Sequence, residues 1–257
     1  MTKLKLDKSK YNTTDLDPEK SFERHVFHRD QFAHYLRWSK VLKDSRIGET
    51  TVDFGCGNGN LLEVLYRNRF KQKRYVGIDI RDKFKPTLKK VPWADFIVED
   101  LIRPQNGTDF SSFQADRVVS FEVAEHIGRQ NVPIFLENFK ACGNEDATYY
   151  LSTPNYDMLV GAAGNHTYDS GDGRGIAPHE LFHNDLAQKI DEAGLEVVQK
   201  YGTFASVKDY KYKMTPGQRE VFDAMHEYWD ANIISNLFAP LFPKESRNCL
   251  WILKRKK

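Results

Sequence analysis

A chain of 257 residues with 40% hydrophobic and 13% aromatic content is long and apolar enough for one well-buried α/β domain plus decorations, which excludes a disordered or fibrous polypeptide. Its 38 basic against 36 acidic residues leave a net charge of +2, too balanced for a dedicated nucleic-acid binder. No stretch has signal-peptide or membrane-span character, and Cys56, Cys142 and Cys249 are scattered without a C-x-x-C pair, so the expectation is a cytoplasmic protein with no membrane partner, disulfide framework, zinc or iron–sulfur site.

The whole chain reads as one domain, with an N-terminal arm and helix over residues 1–45, a core over 46–201 and 247–257, and an insertion over 202–246 placed to cap a substrate. Residues 1–17 are polar and lysine-rich, and Asp17-Pro18-Glu19 has the form of a helix start. Phe22, Val26, Phe32, Ala33, Leu36, Trp38 and Val41 then follow helical spacing. His25, His28 and His34 on or near that helix read as solvated or core-edge histidines, the alternative being that one of them lines a substrate mouth.

The chain is organised around residues 51–60, where a short apolar strand runs into a turn containing Gly55, Gly57 and Gly59 and an apolar helix leaves it near Asn60. Glycines suit a reversal that needs positive φ, and they let a ligand lie against the backbone. The free N–H groups of the following helix favour an anionic group there. A dinucleotide fingerprint requires a glycine where Asn60 stands, and there is no phosphate-binding G-x-x-x-x-G-K-[ST].

A second apolar strand, residues 75–80, ends in Asp79, where an acid of a doubly wound sheet accepts hydrogen bonds from ribose hydroxyls. A third, residues 95–98, runs into Glu99, Asp100 and Leu101; a fourth covers 115–121, a helix 131–140 and a fifth strand 147–152. The glycine-rich residues 161–175 read as a substrate lid. A helix over 178–193 ends at Gly194, followed by strands at 195–201 and 248–253 and a basic tail from Lys254. Within the insertion, residues 218–237 carry an aromatic helical stripe that includes Phe222, Tyr228 and Trp229.

Asp53-Phe54-Gly55-Cys56-Gly57-Asn58-Gly59, with Asp79 and Asp100 at their spacing, resembles the motifs of class I S-adenosylmethionine (SAM)-dependent methyltransferases. The resemblance implies a Rossmann-like, seven-stranded, mostly parallel α/β sheet of order 3-2-1-4-5-7-6 with the last strand antiparallel and helices on both faces. It implies SAM held by Asp53, Gly55, Gly57, Asn58 and Gly59, with Asp79 and Ile80 at the ribose, Asp100 and Leu101 at the adenine, and Glu122 near the methionine part or the acceptor. Ser152-Thr153-Pro154-Asn155 and Tyr201-Gly202-Thr203-Phe204 are similar to methyltransferases of bacteriophages and bacteria, which implies an enzyme of a host cytoplasm.

Glu122, Glu125 and His126 follow the fourth strand, where a methyl acceptor belongs, and a helical turn would put them on one face. They are the expected catalytic residues, with His126 first choice as base and His166 or His179 second. The E-x-x-E-H pattern is also similar to RNA 3′-terminal 2′-O-methyltransferases of the small-RNA type, which implies a magnesium or manganese site on Glu122, Glu125 and His126 completed by His166 or His179. The same pattern is shared with small-molecule methyltransferases, so the acceptor stays open between a small molecule and a nucleic-acid or sugar hydroxyl. No [DNS]-P-P-[YFW] motif or Pro-Cys nucleophile follows the fourth strand, which counts against a base-flipping DNA enzyme. A SAM-binding module without turnover and an aminopropyl transferase are the remaining alternatives.

Overall fold

The computed structural model describes residues 29–82, 84–159 and 181–257. The elements in chain order are α1 (Arg29–Asp44), β1 (Thr50–Phe54), α2 (Asn60–Arg67), β2 (Arg74–Asp79), β3 (Ala94–Val98), β4 (Ala115–Phe121), α3 (Val132–Ala141) and β5 (Gly143–Pro154). They continue as α4 (Tyr156–Leu159), α5 (His183–Glu192), β6 (Leu195–Phe204), α6 (Val207–Tyr210), α7 (Pro216–His226), α8 (Ala231–Phe238) and β7 (Asn248–Arg255).

Seven strands form one sheet in the order β3-β2-β1-β4-β5-β7-β6. The β2–β3, β1–β2, β1–β4 and β4–β5 pairs are parallel. Only β7 runs against its neighbours, antiparallel to β5 and to β6. Successive strand residues point to opposite faces, so the sheet separates two cores. Val118, Tyr149 and Trp251 join one core with Phe135 and Phe139 of α3 and Leu186 and Ile190 of α5. Val119, Tyr150 and Leu250 join the other with Val41 of α1 and Leu61, Leu62 and Leu65 of α2. The helix periodicity of α2 and α3 matches those buried stripes.

The expected sheet order and antiparallel strand are thus present, with three local differences. Lys254 and Arg255 extend β7, pairing with Glu196 and Leu195, and Arg255 Nη2 donates to the Lys140 and Gly143 carbonyls at 2.7 Å, so the basic tail is partly sheet. The stripe over 218–237 is two helices, because Asp230 caps a second start by accepting from Asn232 N at 2.8 Å. Thr215 and Gln218 form a capping box that starts α7 two residues earlier than the stripe. The insertion has its own small core around Tyr210, Phe222, Ile234, Phe238 and Phe242.

The expected helix start at Asp17, the lid over 161–175 and the first residues of the 178–193 helix lie outside the described residues. Among the described residues, no helix is long and apolar enough to cross a membrane.

Candidate active site

The carboxyl ends of β1, β2, β3 and β4 open onto one cleft of about 730 Å³, within the roughly 300–1,000 Å³ usual for cofactor and small-molecule pockets. Its floor is the glycine turn after β1. Gly55, Gly57 and Gly59 all have positive φ, at 95°, 52° and 80°. They are glycines for different reasons. A Cβ on Gly55 would collide with the Val123 side chain, and one on Gly59 with the Phe84 ring, whereas one on Gly57 meets nothing within 4 Å and would project into open space.

Asp79 at the end of β2 shapes that turn. Its Oδ2 accepts from Gly57 N at 2.9 Å and its Oδ1 from Arg81 N at 3.0 Å, so the carboxylate is oriented before any ligand arrives. Asp53 is buried and its Oδ2 accepts from the Tyr75 hydroxyl at 2.6 Å. Burial raises the Asp53 pKa, the Tyr75 hydrogen bond lowers it and the Asp79 charge raises it again, leaving it at about 7.

After β3 two adjacent acids divide the work. Glu99 is buried and collects hydrogen bonds from Asp100 N, Gln105 N, Asn106 N and Thr108 Oγ1 at 2.7–3.0 Å. Asp100 faces the cleft, held by Ile102 N on Oδ1 at 2.8 Å. Glu99 therefore builds the loop that presents Asp100 and Leu101.

Glu122 begins the turn after β4 with φ of 56°, a left-handed conformation that bulky side chains rarely adopt. Four contacts with three neighbours fix it. Its Oε1 forms an ion pair with buried Arg37 of α1 and accepts from Ser152 Oγ at 2.7 Å; its Oε2 accepts from Asn248 Nδ2 at 2.5 Å; its own N–H donates to the Ser152 carbonyl at 3.0 Å. Arg37 also donates to Ser152 Oγ at 3.0 Å and to the Ala33 carbonyl at 3.2 Å. Beyond Asn248, Thr203 Oγ1 of β6 donates to Asn248 Oδ1 at 3.1 Å. One polar network thus ties α1, β4, β5, β7 and β6 together at the cleft edge.

Of the expected site residues, Asp53, Gly55, Gly57, Asn58, Asp79, Ile80, Asp100, Leu101, Glu122 and His126 line the cleft. Gly59 does not; it stands behind the floor as the left-handed cap of α2. Glu125 does not either. It is buried beneath the turn, with Oε2 accepting from Thr153 Oγ1 at 3.3 Å, and burial together with the Glu122 charge pushes its pKa well above the usual carboxylate range. The residues 124–126 form a 3-10 turn instead of the expected α-helical face, and Glu122 precedes it on separate backbone.

The expected divalent-cation site is not supported. Glu122 has both oxygens engaged, Glu125 is buried with its pKa raised by burial and the Glu122 charge, and no group of three or more His, Cys, Asp or Glu side chains fit to hold a metal occurs among the described residues. His166 and His179 lie outside the described residues.

Trp38, Arg37 and the Ser152–Asn248 pair escaped the sequence reading, whereas His34 at the cleft fits the alternative stated for the helix histidines. His34 and Trp38 of α1 line the cleft, and burial with the nearby Arg37 cation holds the His34 pKa down to about 4. Arg37 carried a usable signal: it stands between Ala33 and Val41 at helical spacing, a charge on a stripe whose three members are all buried. Ser152 stood out only as part of the Ser152-Thr153-Pro154-Asn155 resemblance and Asn248 not at all, because nothing local marks a strand residue as the partner of an acid far away in sequence.

A seven-stranded sheet of this order, a glycine turn after β1 and acids closing β2 and following β3 define the SAM-dependent methyltransferase fold. The chain belongs to the methyltransferase domain family, whose match spans residues 23–200. Among solved structures, it is similar to a SAM-dependent methyltransferase from Clostridium acetobutylicum at 10% identity, covering 93% of this chain and 98% of that one with a TM-score of 0.59. A SAM-dependent methyltransferase from Archaeoglobus fulgidus is 17% identical, with 93% and 100% covered and a TM-score of 0.54. One from Mesorhizobium loti is 14% identical, with 88% and 100% covered and a TM-score of 0.57. No curated protein sequence matches the chain.

Proposed function

We propose that this methyltransferase moves the methyl group of SAM to an oxygen or nitrogen of an acceptor, either a small molecule or a nucleic-acid or sugar hydroxyl, in the cytoplasm. The observation that carries the reading is the Gly57–Asp79 corner, where the one turn glycine whose missing Cβ leaves open space sits beside a carboxylate already aimed by two backbone N–H groups.

The residues fit the donor substrate in type. The ribose hydroxyls pair with Asp79, the adenine amino group with Asp100 and its ring with Ile80 and Leu101, all of which line the cleft. The methionine part, with its positive amino group, belongs over Gly55 and Gly57 near Asp53. SAM supplies an electrophilic methyl on a sulfonium. The protein's contribution is to hold the acceptor in line with it, and positioning of this kind is worth on the order of 7–11 kcal/mol of barrier. The acceptor's lone pair takes the carbon, the carbon–sulfur electron pair returns to sulfur, and the acceptor's proton passes to His126, whose half-exposed ring lines the cleft, and on to solvent. Glu122, committed to Arg37, Ser152 and Asn248, holds the turn that carries His126.

Calorimetric titration with SAM tests the reading. Wild-type protein is expected to bind, and Asp79→Ala to lose at least about tenfold in affinity, the scale of one charge-assisted hydrogen bond. Folded wild-type protein that binds neither SAM nor S-adenosylhomocysteine overturns it.

A further inference from the structure

We propose that the cleft-facing part of α1 is the acceptor subsite and that it takes a flat, uncharged aromatic ring carrying the accepting hydroxyl or amine. The proposal rests on the methyl-transfer reading above and adds the chemical class of the acceptor.

His34 and Trp38 are one helical turn apart on α1, and both line the cleft. Their rings stack, with centroids 5.5 Å apart and planes 25° from parallel. Tyr35 packs edge-on against Trp38 at 5.5 Å and 80°, which fixes the Trp38 ring in place. Phe121 at the end of β4 lines the same cleft and, with Trp38, packs on the α1-side core. These rings come from two elements, so the wall is built by the fold and is not a run of neighbours in sequence.

The wall stands at the acceptor end. Phe121 closes β4, whereas Asp100 follows β3, and the strand order places β4 three positions away from β3. At about 4.8 Å per strand that is roughly 14 Å, which sets the wall well apart from the adenine end of the donor site. Glu122, the residue after Phe121, is close enough for its charge to act on His34.

Charge selects against an anionic acceptor. The described cleft residues include the acids Asp53, Asp79, Asp100 and Glu122, but no lysine and one arginine, Arg81, which lies just past the end of β2. Arg37 is buried and committed to Glu122 and Ser152. A phosphate backbone needs cations, and among the described residues lining the cleft Arg81 alone is a lysine or arginine. His34, held neutral above about pH 5 by burial, adds ring surface without charge. Stacking surface without fixed positive charge suits a neutral aromatic ring.

The test uses the full chain saturated with S-adenosylhomocysteine and the probe 2-naphthol, a flat phenol, with its saturated, puckered analogue decahydro-2-naphthol as control. Wild-type protein is expected to bind 2-naphthol at least about tenfold more tightly than the control. Trp38→Leu, which keeps apolar packing but removes the ring, is expected to lose that preference, and Trp38→Phe to restore most of it, with S-adenosylhomocysteine affinity unchanged in both. A single-stranded RNA hexamer is expected not to displace the probe. Equal binding of flat and puckered rings, no binding of either, an unaltered preference in Trp38→Leu, or displacement by the RNA overturns the proposal while leaving the donor site standing. Loss of S-adenosylhomocysteine binding in wild-type protein instead overturns the reading beneath it.

Discussion

The Tyr75 hydroxyl and the Asp53 carboxyl, on neighbouring parallel strands, share a 2.6 Å hydrogen bond at the floor of the cleft. Burial, partly offset by that bond and then reinforced by the Asp79 charge, leaves Asp53 with a pKa of about 7, so near neutral pH the free protein is a mixture of protonated and ionised forms. A positively charged donor favours the ionised form. Affinity for SAM is therefore expected to rise with pH below about 7, by up to about tenfold per unit, and to level off above it. Calorimetry in buffers of different ionisation enthalpy should record proton release on binding at pH 6 that disappears in Asp53→Asn.

The same residue affects stability in the opposite direction. Its folded pKa lies above the unfolded value of 3.8, so the stabilising contribution is complete below about pH 4 and is lost as pH rises through about 7. Asp53→Asn should abolish this loss, on the order of 4 kcal/mol at 1.36 kcal/mol per pKa unit, and chemical denaturation between pH 4 and 8 would read it. A wild-type profile that is flat over that range would remove Asp53 from the argument.

Arg37 and Glu122 make an unequal pair. Arg37 is 2% exposed and Glu122 24%. Glu122→Ala leaves a buried cation without its anion and is expected to cost about 3–5 kcal/mol in urea unfolding. Arg37→Met should cost less, about 1–3 kcal/mol, because Glu122 reaches solvent and keeps Ser152 and Asn248. The double variant Arg37→Met with Glu122→Gln should recover most of the loss, and equal costs for the two single changes would contradict the asymmetry.

The glycine turn separates folding from binding. Gly55→Ala forces a Cβ into Val123 at φ 95° and is expected to lower stability, while Gly57→Ala places its methyl in open space and adds only the left-handed backbone cost of about 1–2 kcal/mol. Melting curves should rank Gly55→Ala as the less stable, and titration should show Gly57→Ala losing SAM affinity beyond what its stability explains.

Glu99 governs the loop that carries Asp100. Burial pushes its carboxyl up, but the hydrogen bonds from Gln105, Thr108, Asp100 and Asn106 outweigh it and bring the pKa below the usual 4.5. The associated stability is present above about pH 4.5 and is lost as pH falls through the lowered value. Glu99→Ala should accelerate hydrogen exchange at Gln105 and Asn106 and weaken SAM binding without Glu99 touching the cleft.

What was legible in the sequence was local. The glycine turn, Asp79 and the step from β3 to Asp100 are each written within a few residues, because a turn and a strand end are short-range structures. The alternation of strand and helix was equally plain, since each strand and helix carries its own period. The Arg37–Glu122–Asn248 network was not readable, because its members are brought together only by the sheet and lie 85 and 126 residues apart. Glu122, Glu125 and His126 stood out as a group by spacing, yet a left-handed residue at Glu122 and a tighter turn after it send Glu122 to the cleft edge, Glu125 into the interior and His126 to the mouth. Spacing predicts a shared face only while the backbone stays α-helical.

The antiparallel strand β7 has a further consequence for how the protein is made. It is the last strand in the sequence, yet it lies between β5 and β6, and its first residue, Asn248, supplies one of the partners of Glu122. During synthesis β1 to β5 can pair in parallel as they emerge, but β6 has no neighbour in the sheet until β7 leaves the ribosome and fills the gap. The edge of β5 stays an open ladder for that interval, the exposed surface on which a chaperone would act, and the cleft edge is completed in the same event that closes the sheet.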